Sequence, residues 1–193
     1  MSAADGRAGD AQTEPGWVGE VLRYWFDEVG SEHWFKASGQ IDAQIRGRFL
    51  ALHRRIAASQ ASDFSTTREL LAAVIVLDQF SRNLFRDTPG AYAADPLARR
   101  LADVAIHRGC DAQMSIAQRQ FIYMPFQHSE DPKDQARSVG LFATLGNKAW
   151  MEYAVAHKSI IDRFGRFPHR NAILGRESSA EEIASLSKPM GSF

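Results

Sequence analysis

The residues best suited to chemistry in this sequence lie in one arginine-rich segment, Arg163–Arg176, which reads RFGRFPHRNAILGR. It contains four arginines and one histidine but no acidic residue. Guanidinium groups keep their charge and bind carboxylates or phosphates through two parallel hydrogen bonds. Pro168 restricts the residue before it to extended geometry, so a helix cannot continue through the segment. We therefore expect a loop whose arginines face water, pair with internal carboxylates, or hold an anion.

A second polar cluster, Asp78–Asn83 (DQFSRN), directly follows eight apolar residues. Asp78 and Arg82 are four residues apart, as are Gln79 and Asn83, and on a helix each pair shares a face. A charged carboxylate beside so apolar a run is costly unless it is paired. The cluster is either an ion pair with capping amides at a helix end or part of a functional site.

The third cluster, Tyr123–Glu130 (YMPFQHSE), contains His128. A histidine can act as an acid or a base near neutral pH. The alternative is that Ser129 and Glu130 satisfy free N–H groups of the next helix. His157 lies on the apolar stripe of a predicted helix, where a histidine is more often a core residue than a ligand.

Metal and nucleophile chemistry find little support in the spacing of these residues. Three histidines, together with Glu130 or Asp78, have the ligand types of an iron or zinc site: His128, His157 and His169. No pair of them has the helical spacing of a zinc motif. The sequence has no Gly-x-Ser-x-Gly elbow and no phosphate-binding glycine loop, and its single cysteine, Cys110, has no nearby partner. We therefore expect neither a metal nor a cofactor.

Length and composition fit one ordinary soluble domain. The chain has 193 residues, of which 45% are hydrophobic and 24% charged, and its 23 basic and 23 acidic side chains cancel. A zero net charge argues against general binding to nucleic acid or to an anionic membrane, which needs a basic surplus. No window is long and apolar enough to span a membrane, and the N-terminus lacks the layout of a secretory signal. We expect a cytoplasmic protein.

Apolar residues recur at steps of three and four along nearly the whole chain, which indicates helices. Thr66–Glu69 and Ser115–Gln118 are capping boxes, and they predict helices over about 68–80 and 115–121. Asp95 and Asp131 each precede a proline and are predicted N-caps. The other predicted helices cover the stripes Val18–Phe26, Ile41–Ile56, Asp95–His107, Asp131–Gly146, Trp150–Phe164 and Ser178–Glu182.

The run Leu70–Leu77 is apolar all round, which predicts a central buried helix. Short links between successive helices indicate antiparallel neighbours. Composition predicts a disordered arm over residues 1–14, a single helical domain over 15–187 and a loose tail over 188–193. Five aromatic side chains are better explained as core than as a ligand cage: Trp25, Phe26, Trp34, Phe35 and Trp150.

Several stretches of the chain together resemble a bacterial family, domain of unknown function 924. They are Tyr24–Phe26, Trp34–Phe35, Leu77–Arg86, Tyr123–Glu130, Phe164–Asn171 and Leu174–Arg176. The resemblance implies an all-helical, tetratricopeptide-like architecture and no established activity. The family commonly has proline where Ser81 stands, a difference that changes no candidate functional side chain.

We therefore predict an all-α fold in which antiparallel helix pairs stack as a right-handed, tetratricopeptide-like α-α superhelix or bundle. Side chains near positions 80, 128 and 170 are predicted to meet in one polar pocket that binds a small anionic metabolite. His128 and His169 are the candidate catalytic residues for acid–base chemistry. The predicted ligand-binding residues are Asp78, Arg82, Asn83, Glu130, His157, Arg166, Arg170, Asn171 and Arg176.

Two alternatives stay open beside this pocket. A helical-repeat scaffold that binds a peptide or protein is suggested by analogy of fold, although a fold does not fix a function. The arginine and acid clusters are otherwise purely structural, pairing with one another and attaching the C-terminal loop to the bundle. The sequence does not decide between a binding protein and an enzyme.

Overall fold

The structure is a computed structural model that describes residues 14–187. The described chain is helical and contains no strand, which confirms the predicted fold class. Two six-residue π-helical segments, Tyr24–Val29 and Ile75–Phe80, extend α1 and join α3 to α4, respectively. The helices are α1 (Gly16–Arg23), α2 (Gly39–Ala57), α3 (Thr67–Val74), α4 (Ser81–Leu84), α5 (Asp95–His107), α6 (Ile116–Gln127), α7 (Pro132–Ala143), α8 (Lys148–Phe164) and α9 (Ala180–Leu186).

Residues 1–13 of the predicted arm and the whole predicted tail, 188–193, lie outside the described residues. Glu14, the last residue assigned to the arm, is held by the folded chain. Its carboxylate accepts a hydrogen bond of 2.6 Å from Nε of Arg68, at the start of α3. The limits of the predicted domain, 15–187, stay a prediction.

Several helices begin and end as the sequence predicts. In α3, the Thr66 side chain accepts a hydrogen bond from the N–H of Glu69, and the Glu69 carboxylate accepts one from the N–H of Thr66. Ser115 and Gln118 cap α6 in the same way. Each box satisfies backbone donors that have no partner inside the helix. Gly165 ends α8 with a left-handed φ of 68°, which glycine adopts without strain.

α6 is longer than predicted, since it runs through Pro125 to Gln127 instead of ending at Phe121. A proline inside a helix is unfavourable by about 3 kcal/mol. Burial outweighs that penalty, because Phe121, Tyr123 and Phe126 are each 1% exposed and burying a large apolar side chain contributes roughly 2–3 kcal/mol. Packing therefore carries the helix past the proline and into the third polar cluster.

The run Leu70–Leu77 forms the buried centre of the fold, as predicted, and each of its residues is at most 2% exposed. The helix does not end at Phe80, however, because the π-helical segment passes directly into α4. Such turns inside α-helices occur frequently at functional sites. The π-helical segment contains Asp78 and Gln79, and the rest of the second polar cluster continues in α4 to Asn83, one residue before the helix ends at Leu84.

Successive helices pack against each other: α7 lies against both α6 and α8, and α3 lies against α5. Short connections, His128–Asp131 and Thr144–Asn147, join α6 to α7 and α7 to α8. The three helices therefore alternate in direction, and α6 and α8 run parallel. These pairs do not by themselves define a right-handed, tetratricopeptide-like superhelix, which stays a prediction. None of the described helices is long and apolar enough to cross a membrane.

Candidate functional site

Segments that are distant in the sequence meet at one cavity of about 800 Å³. α4, the end of α6, α8 and the turn Pro168–Arg170 all contribute side chains to its wall. Small-molecule sites in proteins have comparable volumes. The predicted site residues that line the cavity are Arg82, Asn83, His128, His157, His169 and Arg170.

Arg82 is held by carboxylates on two sides. Its Nη1 and Nη2 each lie 3.1 Å from an oxygen of Asp95, and Nη1 lies 3.4 Å from Asp78 Oδ1. Burial alone would lower the pKa of Arg82, but the two carboxylates outweigh burial and raise it. The predicted N-cap role of Asp95 is wrong: Ala94 occupies the cap position, and the Asp95 carboxylate instead accepts two hydrogen bonds from Arg82.

Asp78 and His128 form a hydrogen-bonded pair at the cavity wall. Asp78 is fully buried behind the wall, and its Oδ1 lies 2.9 Å from Nδ1 of His128, which lines the cavity. Burial would raise the pKa of Asp78, but Arg82 and His128 outweigh burial and hold that pKa below its ordinary value, so the carboxylate is ionised. Because the carboxylate can accept the Nδ1–H, the other ring nitrogen, Nε2, is the one that could take up a proton from a ligand, the arrangement of a general base.

Arg170 is a buried cation with incomplete pairing. Its side chain is 9% exposed, and its Nη1 lies 3.9 Å from Asp95 Oδ2, an oxygen that already bonds to Arg82. Its Nε has no hydrogen-bond partner among the residues that the structure describes. The rings of Tyr92 and Phe167, each 4.5 Å from the guanidinium carbon, hold it in place. Burial and Arg82 lower the pKa of Arg170, yet an arginine stays protonated at neutral pH.

The other two cavity histidines are kept neutral mainly by burial. Burial, together with nearby positive charge, lowers the pKa of His157 to about 3 and that of His169 to about 4. His157 Nδ1 lies 2.8 Å from the Tyr153 carbonyl oxygen and 3.1 Å from Gln127 Nε2. His169 Nδ1 is buried and has no partner among the protein's atoms. His169 therefore offers a ligand a hydrogen bond rather than a charge.

Asn83 and Arg86 line another part of the wall and share one carboxylate. Asn83 Nδ2 donates to Asp42 Oδ1 at 2.8 Å, and Arg86 Nε donates to Asp42 Oδ2 at 2.9 Å. Burial would raise the pKa of Asp42, but these donors outweigh burial and lower it. Arg86 is therefore paired within the protein, unlike Arg170.

Four predicted site residues lie outside the cavity: Glu130, Arg166, Asn171 and Arg176. Arg176 donates to both oxygens of Glu130, at 2.7 and 2.9 Å, and to Asn171 Oδ1 at 2.9 Å. Arg166 donates to both oxygens of Glu182, at 2.7 and 2.9 Å. The structure does not bring these four residues to the cavity wall, and the two arginines pair with carboxylates elsewhere. We refer to the ion pairs Glu130–Arg176 and Arg166–Glu182 as the outer latch.

Two amide side chains of α6, absent from the sequence-based predictions, line the cavity. Gln120 and Gln127 lie with Met124 on one face of the helix, at steps of four and three. Gln120 is 3% exposed, and its Oε1 has no partner among the protein's atoms. In the sequence Gln120 ends the polar run Gln118–Gln120, so no sequence feature separates it from a solvent-exposed residue.

Aromatic side chains that were predicted to be core also form part of the cavity wall. Trp34, Phe35 and Trp150 line the cavity, and Phe35 is 58% exposed, whereas Trp25 is 1% exposed. Trp34 Nε1 donates a hydrogen bond of 2.8 Å to the Trp25 carbonyl oxygen, which fixes its ring at the wall. The core prediction therefore holds for Trp25, while Phe26, Trp34 and Trp150 are partly buried against the core, and only Phe35 among the five is largely exposed.

Hydrogen-bonding side chains make up the polar part of the cavity wall. Within residues 14–187, no three His, Cys, Asp or Glu side chains form a group that could hold a metal ion. Two of the cavity histidines use Nδ1 within the protein, His128 on Asp78 and His157 on the Tyr153 carbonyl. The cavity thus presents a cation, neutral imidazoles and amides.

Comparisons with known proteins agree with this fold. A family described as bacterial protein of unknown function, DUF924, matches residues 21–190. The solved structure of a protein of unknown function, ATU0120 from Agrobacterium tumefaciens, is 39% identical to this chain, with 89% of this chain and 97% of that chain covered and a TM-score of 0.81. A comparison with curated proteins gives no match. The match over residues 21–190 confirms the resemblance seen in the motifs, and the chain belongs to the DUF924 family.

Proposed function

We propose that the cavity binds a small molecule through an anionic group held by Arg170. The observation that carries the proposal is a guanidinium with 9% side-chain exposure whose Nε has no hydrogen-bond partner in the described part of the chain. A buried cation with incomplete pairing destabilises the folded chain. Binding sites retain such groups because a ligand completes their pairing.

Pairing, rather than net charge, is what leaves Arg170 open to a ligand. Both oxygens of Asp95 bond to Arg82 at 3.1 Å. Asp78 directs Oδ1 to His128 at 2.9 Å and Oδ2 to Gln79 at 2.6 Å. A carboxylate or phosphate that enters the cavity can therefore supply Arg170 with the two-pronged partner that these residues do not.

A thermal-shift titration with phosphate, sulfate and short carboxylates, at constant ionic strength, tests the proposal. A ligand that binds only the folded state raises the melting temperature by mass action. We expect a saturable rise with at least one of these anions, lost in Arg170→Met and retained in Arg166→Gln, whose arginine belongs to the outer latch. No rise with any of the anions, or an undiminished rise in Arg170→Met, contradicts the proposal.

The Asp78–His128 pair favours a second role, acid–base catalysis on the bound molecule. A base that removes a proton next to a carboxylate, with an arginine on that carboxylate, would exchange the proton with solvent. Incubation of bound acids in D₂O, followed by NMR, tests this role. Deuterium incorporation by the wild type that is lost in His128→Asn, with binding retained, supports catalysis. Binding without any exchange indicates a binding protein.

Two alternatives to ligand binding were open from the sequence: a purely structural role for the ion pairs and a scaffold that binds a peptide or protein. The structural interpretation fits the outer latch, where both arginines are paired with carboxylates. A peptide- or protein-binding scaffold stays a prediction from analogy of fold, as does a cytoplasmic location. A pull-down that recovers one partner, competed away by an anion of the cavity, would join the scaffold hypothesis to the cavity.

A further inference from the structure

The cavity has two chemically different ends, set by two parallel helices. Gln120 and Gln127 are seven residues apart on α6, and Trp150 and His157 are seven apart on α8. At the rise of an α-helix, seven residues span about 10 Å. Gln127 and His157 meet at 3.1 Å, so they mark one end of the cavity on both helices.

The end marked by Gln127 and His157 carries the positive charge. The ring of His128 lies 6.2 Å from that of His157, and the ring of Phe167, which stacks on Arg170, lies 5.6 Å from His157. This cationic end is where the proposed function places the anionic group of the ligand.

The opposite end is aromatic and presents an acceptor without a donor. Trp34 and Phe35 pack on Phe121, with ring centroids 4.9 and 6.4 Å away, beside the adjacent residue Gln120. Gln120 lines this wall, and its Oε1 is buried and has no hydrogen-bond partner among residues 14–187. A buried acceptor of this kind binds a ligand that brings an O–H or N–H and rejects one that lacks it.

The cavity wall between the two ends is partly apolar and includes the flexible side chain of Met124. Met124 lies between Gln120 and Gln127 on the face of α6, and its sulfur is 3.9 Å from Gln79 Nε2. Methionine adapts to flat rings and makes favourable contacts with them. A ring that bridges the two ends would lie against this side chain.

We infer that the ligand is an aromatic or heteroaromatic acid about 10 Å long, with an O–H or N–H donor at the end remote from its carboxylate. The carboxylate pairs with Arg170, the ring packs between Met124 and the aromatic wall, and the donor bonds to Gln120 Oε1. This inference rests on the proposed function, because Arg170 is the anion-binding group in both.

Calorimetric titration with four probes tests the inference. The probes are 4-hydroxyphenylpropanoate, phenylpropanoate without the hydroxyl, 4-hydroxyphenylpropanamide without the charge, and acetate without the ring. We expect wild-type protein to bind the hydroxy acid at least about fivefold more tightly than phenylpropanoate, the penalty of leaving a buried acceptor unpaired. The amide and acetate should bind more weakly than the hydroxy acid.

Variants assign the effect to residues. In Gln120→Leu the preference for the hydroxyl should vanish, because the acceptor is gone and the volume is kept. Gln113→Leu, an exposed glutamine outside this cavity, should retain the preference. Arg170→Met should weaken both acids and leave the amide unchanged.

The results distinguish the inferred ligand class from the proposed anion binding by Arg170. If acetate or phosphate binds through Arg170 while ring and hydroxyl add nothing, the inferred ligand class is wrong and anion binding stands. A hydroxyl preference that persists in Gln120→Leu also overturns the inference. If neither acids nor inorganic anions bind, both proposals fall.

Discussion

Two parts of the same arginine-rich loop are bonded in opposite ways. Arg166 and Arg176 of the outer latch each meet both oxygens of a carboxylate at 2.7 to 2.9 Å. Arg170, between them in sequence, has its ion-pair partner at 3.9 Å and a buried Nε without a partner. Yet Arg170 is the most buried of the three, with 9% side-chain exposure against 34% and 24%.

Arg166 and Arg176 hold the loop in place, whereas Arg170 is positioned by the loop at the cavity wall. A buried charge is normally paired, because an unpaired one destabilises the protein strongly. The latch follows that rule, and Glu130 also accepts the N–H of Phe167 at 2.8 Å, which fixes the chain just before Pro168. Arg170 departs from the rule beside a cavity, where proteins retain unfavourable groups for function.

The largest effect should come from a cavity arginine that is fully paired. Arg82→Met leaves the carboxylates of Asp78 and Asp95, with 1% and 12% side-chain exposure, without their main cation. We expect the free energy of unfolding to fall by about 3–5 kcal/mol, as when one partner of a buried pair is removed. Urea denaturation measures this change. A loss no larger than that of Arg163→Met, at an exposed pair, would contradict the assigned pairing.

A latch arginine should matter somewhat less. Arg176→Met leaves Glu130 without its two-pronged donor and removes one of the two hydrogen bonds that the Phe167 carbonyl accepts, the other coming from the Arg170 N–H. Since both ends are partly exposed, we expect a loss of roughly 2–3 kcal/mol in unfolding free energy. The same denaturation experiment should show that phosphate still stabilises this variant. Loss of the phosphate response with native-like stability would assign anion binding to the latch.

The two parts should also separate in their response to acid. The pKa of His157 is about 3 in the folded protein against an ordinary 6.5, so the unfolded chain takes up its proton first as pH falls. Stability from this residue is present above pH 6.5 and decreases on acidification, on the order of 2 kcal/mol by pH 4.5. His157→Asn should flatten that part of a denaturation series.

The stability that the outer latch contributes is lost at a lower pH than that of the cavity histidine His157. Hydrogen bonds from Arg166 and the Ser179 N–H lower the pKa of Glu182 from 4.5 to about 2, so its stabilisation is lost only as pH falls below 4.5. We expect Glu182→Gln to leave the slope between pH 6.5 and 4.5 unchanged. If Glu182→Gln changes the pH dependence of the unfolding free energy between pH 6.5 and 4.5, the cavity and the outer latch do not titrate separately.

The smallest effect on stability should come from Arg170 itself. Arg170→Met keeps apolar contact with Tyr92 and Phe167 and removes a charge that burial disfavours. We expect the unfolding free energy to change by less than about 1 kcal/mol in either direction. A loss as large as that of Arg82→Met would mean that Arg170 is a structural ion-pair partner.

Local chemistry made much of the fold predictable. Capping boxes at Thr66 and Ser115 and the glycine at position 165 depend on neighbours within a few residues, so their hydrogen bonds and turns are readable from the sequence. The passage of α6 through Pro125 was not predictable in this way. It depends on rings buried against distant helices, and only tertiary packing outweighs a proline.

The candidate site likewise has some features that the local sequence predicts and others that depend on tertiary packing. Polar residues beside apolar runs, such as Arg82 and His128, could be assigned to a shared hollow because burial demands that they meet partners. Which loop arginine faces that hollow depends on where Glu182 lies in three dimensions, and the sequence does not carry this information. Gln120 was missed because it follows two polar residues, Gln118 and Arg119, and only the structure shows that its side chain is buried at a cavity wall.

An NMR titration of arginine side-chain Nε–H signals with phosphate and 4-hydroxyphenylpropanoate tests most directly whether Arg170 alone is presented to a ligand. The Arg170 signal, assigned with Arg170→Met, should shift saturably, while the signals of Arg166 and Arg176 stay in place. A static Arg170 signal, or equal shifts of all three, would contradict the division of the loop into a latch and a ligand-binding arginine.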